Sequence, residues 1–369
     1  MFSKIFDQIK LYFWSLSYGL ATIALILALL CPHIPPASFS GFIMALLGFC
    51  FPYLFIIQVI FLLIFWKKQY KGLLYCALAM LIISFANMRN YLQISTTSFQ
   101  KEDFKVLSYN VHYFDYLFRN KLVKDRTENL KIVLDELAQE NADILCLQEF
   151  SGATKALTQS AHEYMLQTLK YPYFYKGGKS SLAIYSKFPL KAGKTIHFEN
   201  SFNGGISAIA TIGKTEVKIY NVHLQSIKLG EDAEHILEKQ DLSKKQADAT
   251  KEKYWRIGGK LRKAFILRTE QVKTLDQLFV QDTHTTILAG DFNDTPISYT
   301  YNMMSKYFYD SFVQGGWGFG STYAGNLPWL RIDYIMATPM LKIHWHKVIK
   351  TAKASDHYPI SVGFSLERE

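Results

Sequence analysis

The sequence predicts an α/β domain carried behind three membrane-spanning helices. Three observations predict it. The composition changes abruptly near residue 95. Beyond that point short apolar runs with strand character alternate with amphipathic helical stretches, and most of those runs end in a carboxylate, an amide or an imidazole. Strand and helix in alternation are the pattern of layered α/β architecture. A chain of 369 residues has room for a membrane segment and one large domain.

The segment 1–95 holds only Lys4, Asp7, Lys10, Lys67, Lys68, Lys71 and Arg89 as charged residues. Subtracting that one acid and six bases from the totals of 31 and 41 leaves 30 acids and 35 bases downstream. The uncharged runs 11–34, 35–66 and 72–88 are each long enough for a spanning helix, which takes roughly 17 to 25 apolar residues. We expect helices at about 11–34, 40–66 and 72–92, separated by Pro35-Pro36 and by Lys67-Lys68-Gln-Tyr-Lys71. The first run is too long for a cleaved leader and has no small-residue cleavage site before a soluble domain. Lys4 and Lys10 precede the first helix, no Lys or Arg lies in the 31–40 turn, and three lysines fill the next loop. Because Lys- and Arg-rich short loops stay in the cytoplasm, the expectation is a multi-pass membrane protein. Its N-terminus is inside and its domain 101–369 is on the extracytoplasmic (periplasmic or extracellular) side. Only Cys146 of the four cysteines belongs to that domain, which excludes an internal disulfide and a thiol-rich metal site.

Lys105–His112 reads as the first strand, the stretch from about Leu122 to Gln139 as a helix, and Ala142–Glu149 as a second, buried strand. Leu182–Lys187, the run from Gly205 and Val217–Leu224 continue the pattern. From about Gly230 to Phe279 the chain is charged and helical in character, with its clearest amphipathic part at Lys260–Leu278. Lys244, Lys245, Lys251, Lys253, Arg256, Lys260, Arg262 and Lys263 make it basic, but acids are mixed through it, so we read it first as a solvated face. Thr286-Ile-Leu-Ala-Gly-Asp291-Phe-Asn293 is an apolar strand that stops abruptly. On an extended end Asp291 and Asn293 leave one face. Thr295 is expected as the cap, and Pro296 as the first residue, of a helix near Ile297–Ser305. A Gly-rich loop at 315–320 precedes the strand Leu330–Met336, and Ser355–Pro359 turns into the last strand.

The strand-end residues Asn110, Glu149, His223, Asp291, Asn293, Asp356 and His357 are thereby delivered to one edge. Singly each would be structural; together they make a site on rigid elements. The set mixes hard oxygen donors with imidazoles and has no serine or cysteine nucleophile beside a base. Such donors suit Mg²⁺, with Mn²⁺ as a substitute, and the fitting chemistry is attack of water on a phosphate ester.

The motifs Ser-Tyr-Asn110-Val-His112, Leu-Gln148-Glu149, Tyr-Asn221-Val-His223, Gly-Asp291-Phe-Asn293-Asp-Thr-Pro, Arg-Ile-Asp333-Tyr and Ser-Asp356-His357-Tyr-Pro occur in this order. The stretch 103–366 resembles the endonuclease/exonuclease/phosphatase (DNase I-like) superfamily, which includes deoxyribonucleases, abasic-site endonucleases, neutral sphingomyelinases and inositol-polyphosphate 5-phosphatases. The resemblance implies a four-layer α/β sandwich with two packed sheets. It implies Glu149 and Asn110 as Mg²⁺ ligands with Asp356 in or near the metal shell, and Asp291 as the residue that orients or deprotonates water. It further implies Asn293 as a positioner and phosphate contact, and His357, oriented by Asp333, as the stabiliser of the phosphorane. His223 falls where relatives contact phosphate or assist the leaving oxygen. His112 stands where abasic-site enzymes have an aspartate, which separates the chain from that branch. The implied function is a membrane-embedded, Mg²⁺-dependent phosphodiesterase. We read it first as a nuclease acting on nucleic acid, with a sphingomyelinase-like enzyme of phospholipid or another small phosphodiester as the alternative. A non-catalytic phosphate-binding module is the reading of another class.

Overall fold

The computed structural model describes residues 2–94, 101–178, 180–227, 244–325 and 329–366, and the side chains of 2–4, 7 and 244–254 are outside that description. Of the expected basic run, Lys244, Lys245, Lys251 and Lys253 therefore lie outside the described side chains. Helix α1 (Phe2–Leu30) ends in a 3₁₀ turn at Cys31–His33, and α2 (Phe39–Phe49), α3 (Phe51–Lys68) and α4 (Lys71–Met88) follow. Three helical stretches, Gln8–His33, Phe51–Lys68 and Lys71–Met88, are long and apolar enough to cross a membrane. The run expected as one helix over 40–66 is thus two. Pro52 inside a continuous helix would lose a backbone bond and clash with the carbonyl four residues back; the chain breaks at Cys50 and uses Pro52 in the first turn of α3.

After β1 (Leu92–Gln93) come β2 (Phe104–Asn110), α5 (Tyr116–Arg119), α6 (Arg126–Glu140), β3 (Ile144–Gln148), α7 (Lys155–Gln167), β4 (Tyr173–Gly177) and β5 (Leu182–Ser186). Then follow β6 (Leu190–His197), β7 (Gly204–Ile212), β8 (Thr215–His223), α8 (Lys244–Val280), β9 (Thr285–Asp291), α9 (Tyr299–Met304), β10 (Tyr309–Asp310) and α10 (Ser311–Gly315). The chain finishes with β11 (Gly318–Phe319), β12 (Asp333–Ala337), β13 (Leu341–Val348) and β14 (Ile360–Leu366). One six-stranded sheet runs β10-β12-β9-β8-β7-β6 and the other β13-β14-β2-β3-β5-β4. Their facing sides share one core, including Val106, Ile144, Ile219, Ile287 and Val362. The outer face of the second sheet is covered by α6 and α7 through Leu134, Leu137 and Met165. The outer face of the first is covered by α8 and α9 through Val272, Leu275 and Met304. The result is the DNase I-like four-layer sandwich that the resemblance implies.

Two helix starts differ from expectation, each for a local reason. The helix expected from Leu122 begins at Arg126, where Asp125 accepts from Glu128 N while Glu128 accepts from Lys124 N; this reciprocal capping fixes the start. The helix expected to be capped by Thr295 starts at Tyr299, capped by Ser298, whose Oγ accepts from Tyr301 N at 3.1 Å. Asp294 holds the preceding turn instead, bonded to Thr300 Oγ1 and Arg268 Nε.

That turn also meets the helices at the start of the chain. Ile297 packs with Leu25, Ala28, Phe51 and Tyr91, Asn90 Nδ2 donates to the Pro296 carbonyl at 3.2 Å, and Asn302 Nδ2 donates to the Pro32 carbonyl at 2.9 Å. The fully buried Arg331, paired with Asp310, donates to the Asn90 carbonyl at 3.1 Å. The sandwich thus sits on the ends of α1, α3 and α4 opposite the Lys67–Lys71 loop.

Candidate active site

Pairing register places the chemistry. Strands β2 and β3 are parallel and end opposite one another at Asn110 and Gln148. Strands β8 and β9 are parallel and end opposite one another at His223 and Asp291. Strand β12 runs antiparallel beside β9 and sets Asp333 across from Asp291. Antiparallel β14 begins at Ile360, just after Asp356 and His357. One edge of both sheets therefore carries all eight expected residues. Gly290 allows the close approach: a Cβ there would lie 1.9 Å from the Val222 carbonyl oxygen, and its φ of +142° suits only glycine.

Below the site a buried amide pair joins the sheets. Gln148 Nε2 donates to Asn221 Oδ1 at 2.7 Å, and Asn221 Nδ2 donates to the Leu147 and Ala183 carbonyls at 3.0 and 2.9 Å. Replacing Asn221 with Leu strips these groups of partners in a dry core, which costs about 1–3 kcal/mol for each group left unsatisfied. We expect a fall in thermal and denaturant midpoints for Asn221→Leu, and an unchanged urea midpoint would contradict this account of the inter-sheet joint.

At the edge, Asp291 is 1% exposed and divides its two oxygens. Oδ1 accepts from Asn293 N at 2.8 Å, because Asn293 turns back in the left-handed region at φ +53°. Their convergence is thus a local Asx turn and does not come from continuing strand alternation. Oδ2 accepts from Asn110 Nδ2 at 3.1 Å and lies 3.5 Å from His223 Nε2 and 3.8 Å from His357 Nε2. Burial pushes the Asp291 carboxyl up to about 6, against the pull of His357 and with the push of Asp333. Asn293 Nδ2 donates to the Leu224 carbonyl at 3.1 Å.

His357 Nδ1 meets Asp333 Oδ2 at 2.9 Å. Burial lowers the affinity of this imidazole for a proton, but Asp333 and Asp291 outweigh it and hold His357 well above the usual histidine range. Its Nδ1 is engaged by Asp333 and its Nε2 lies 3.8 Å from Asp291 Oδ2. Glu149, in the left-handed region at φ +54°, reaches within 4.0 Å of His223 Nε2. Its carboxyl is raised first by burial and also by the neighbouring charge of Asp356. Asp356 is held below the usual carboxylate range because its bond from His112 at 2.8 Å and the nearby His357 outweigh burial.

Glu149 thus lies within the field of Asp356, and both carboxylates stay partly exposed. Two neighbouring carboxylates, with Asn110 hydrogen-bonded beside Glu149, make a set that fits a hard divalent cation. Asp291, Asp333 and His357 also offer ligand atoms within 4.8 Å of one another. There, however, Asp333 is taken up by its 2.9 Å contact with His357 Nδ1, which leaves the Glu149 side the better fit.

Several supporting groups were not legible as site residues. Thr322 Oγ1 accepts from both Ile332 N and Asp333 N at 3.0 Å. Tyr323 forms a β-bridge to His357 with ring centroids 5.7 Å apart, and Ser355 Oγ accepts from His357 N. Nothing in the loop 321–325 alternates or caps in a way that flags it. His112, which departs from the abasic-site pattern, has a defined place as the partner of Asp356.

Residues 107–357 match the model of the Endonuclease/Exonuclease/phosphatase family. No curated protein matches the chain. Among solved structures, a functionally unknown conserved protein from Enterococcus faecalis is 16% identical at TM-score 0.51, covering 71% of this chain and 100% of its own. An endonuclease/exonuclease/phosphatase from Beutenbergia cavernae is 17% identical at 0.50, covering 72% of each chain. One from Bacteroides vulgatus is 13% identical at 0.50, covering 73% of this chain and 100% of its own. At these identities the likeness is one of fold.

Proposed function

The chain belongs to the endonuclease/exonuclease/phosphatase family, which makes it a phosphoester hydrolase, and from that premise we propose a divalent-metal-dependent phosphodiesterase held to a membrane by residues 1–95, with 101–369 as its catalytic domain. The observation that carries the chemistry is Asp291 Oδ2 set between Asn110, His223 and His357, beside the Glu149–Asp356 pair. Asn110, Glu149 and Asp356 are the residues that would hold Mg²⁺, and the ion would supply charge for the phosphoryl oxygens. Asp291, with its carboxyl pushed up to about 6, takes the proton of the attacking water, near the range where a general base works best. Asn293 positions that water and the phosphate. His357, oriented by Asp333, places a fixed positive charge where negative charge develops on phosphorus oxygens. His223, facing Asp291, contacts the phosphate on the leaving-group side.

The nuclease reading rests on the basic excess and the lipid reading on placement: the Asp294–Asn302 turn beside the site rests on the ends of the helices. The test uses full-length protein in nanodiscs, offered DNA, RNA and phospholipid or sphingomyelin with Mg²⁺ or excess chelator. We expect turnover on one of these classes that chelation abolishes and Mg²⁺ restores. Equal rates with and without chelator would sink the metal assignment.

The same contacts support an orientation. The sandwich sits at the helix ends away from Lys67, Lys68 and Lys71, and lysine-rich loops stay inside, so the domain is extracytoplasmic. Alkaline phosphatase fused after residue 100 should be active; activity only from a cytoplasmic reporter would reverse the topology.

A further inference from the structure

From the contacts around the Gly-rich loop we infer that Trp317 and Phe319, together with Ile94, form a membrane seat: a patch that rests in the lipid headgroup layer of the bilayer crossed by α1, α3 and α4. The inference rests on the reading that these helices span a bilayer. Its starting point is the pairing of β11 with β1, Phe319 opposite Leu92 and Gly318 opposite Gln93, which fastens the loop to the chain four residues past the end of α4. Gly320 N donates to the Tyr91 carbonyl at 3.0 Å and extends the fastening.

The height of the patch is set by Trp329. Its ring stacks on Phe319 (centroids 6.4 Å, 22°) and lies 5.4 Å from Tyr53, which belongs to the first turn of the span Phe51–Lys68. The aromatic pair is therefore level with the end of a spanning helix. Around it, Ile94 is 86%, Trp317 76% and Phe319 47% exposed. Three large apolar side chains left in water beside a helix bundle end would be costly. A headgroup layer removes that cost, and it is where tryptophan collects at membrane surfaces. Two cations fit the same level. Arg89 is exposed at the end of α4, and Lys350, also exposed, bonds the Phe319 carbonyl at 3.2 Å; both suit lipid phosphates.

The seat connects directly to the site. Three residues beyond Phe319, Thr322 holds the start of β12, and Tyr323 bridges to His357. The headgroup layer thus lies within one short loop of the phosphoester cleft.

The test is fluorine NMR of the full chain carrying 5-fluorotryptophan, in nanodiscs of phosphatidylcholine and phosphatidylglycerol. Trp317→Phe and Trp14→Phe assign the two signals that matter, and the first changes only an exposed side chain. Trp14 packs on Phe61, midway along α3, and reports insertion. Loss of the Trp14 signal with chain-end nitroxide lipid, together with loss of the Trp317 signal with headgroup nitroxide lipid, is the expected result. Loss at Trp14, with Trp317 responding only to a soluble gadolinium chelate, would overturn the seat and leave the spanning helices standing. If neither tryptophan responds to any lipid label, the spanning reading fails, and the seat with it.

Discussion

Asp291→Asn should lower kcat/KM by about 10² to 10⁴-fold, the usual contribution of a positioned general base, while leaving the folded structure in place. The change keeps the size of a side chain that is 1% exposed, and its amide oxygen still accepts from Asn293 N, the bond that shapes the turn. What disappears is the basic oxygen at Oδ2, on which Asn110, His223 and His357 converge. Near-normal turnover in the purified, folded variant would remove Asp291 from the reaction.

His357→Ala is expected to cost a similar factor, by a different route. In the proposed mechanism His357, held by Asp333 at 2.9 Å, places positive charge at the phosphoryl oxygens, and preorganised charge of this kind is commonly worth about 10²- to 10³-fold. The variant also leaves Asp333 buried beside Asp291 without its imidazole partner. The melting temperature should therefore fall with activity, as expected when one partner of a buried pair is removed. The double change His357→Ala with Asp333→Asn should recover stability and not turnover. Recovery of both would make the pair structural.

Much of this was legible in the sequence because apolar strands end abruptly in polar residues. Asn110, Glu149, His223 and Asp291 could be assigned to one edge from that pattern, and order of motifs pointed to the sandwich. What was not legible depends on contacts distant in sequence. Thr322 and Tyr323 matter only because their loop folds over His357. Arg331 reads as a charged residue in a motif, yet it is buried, paired with Asp310 and bonded to the Asn90 carbonyl. The change in composition near residue 95 marks a boundary, but it gives no sign that Asn90 and Tyr91 plug into the sandwich beside Ile297. Truncation at that boundary would expose this contact, so functional work belongs on the full chain. The apolar period misplaces helix ends where a cap outweighs it, at Asp125 and Ser298, and where Pro52 divides an otherwise uniform apolar run.

The central claim is that water, deprotonated at Asp291, attacks phosphorus. Full-length protein supplied with Mg²⁺ and its phosphodiester substrate in ¹⁸O-labelled water tests it most directly. One ¹⁸O per turnover in the phosphoryl product, with labelled product forming about 10² to 10⁴-fold more slowly when Asp291→Asn replaces the native chain, is the predicted result. Label in the alcohol product, or product without label, would contradict the account.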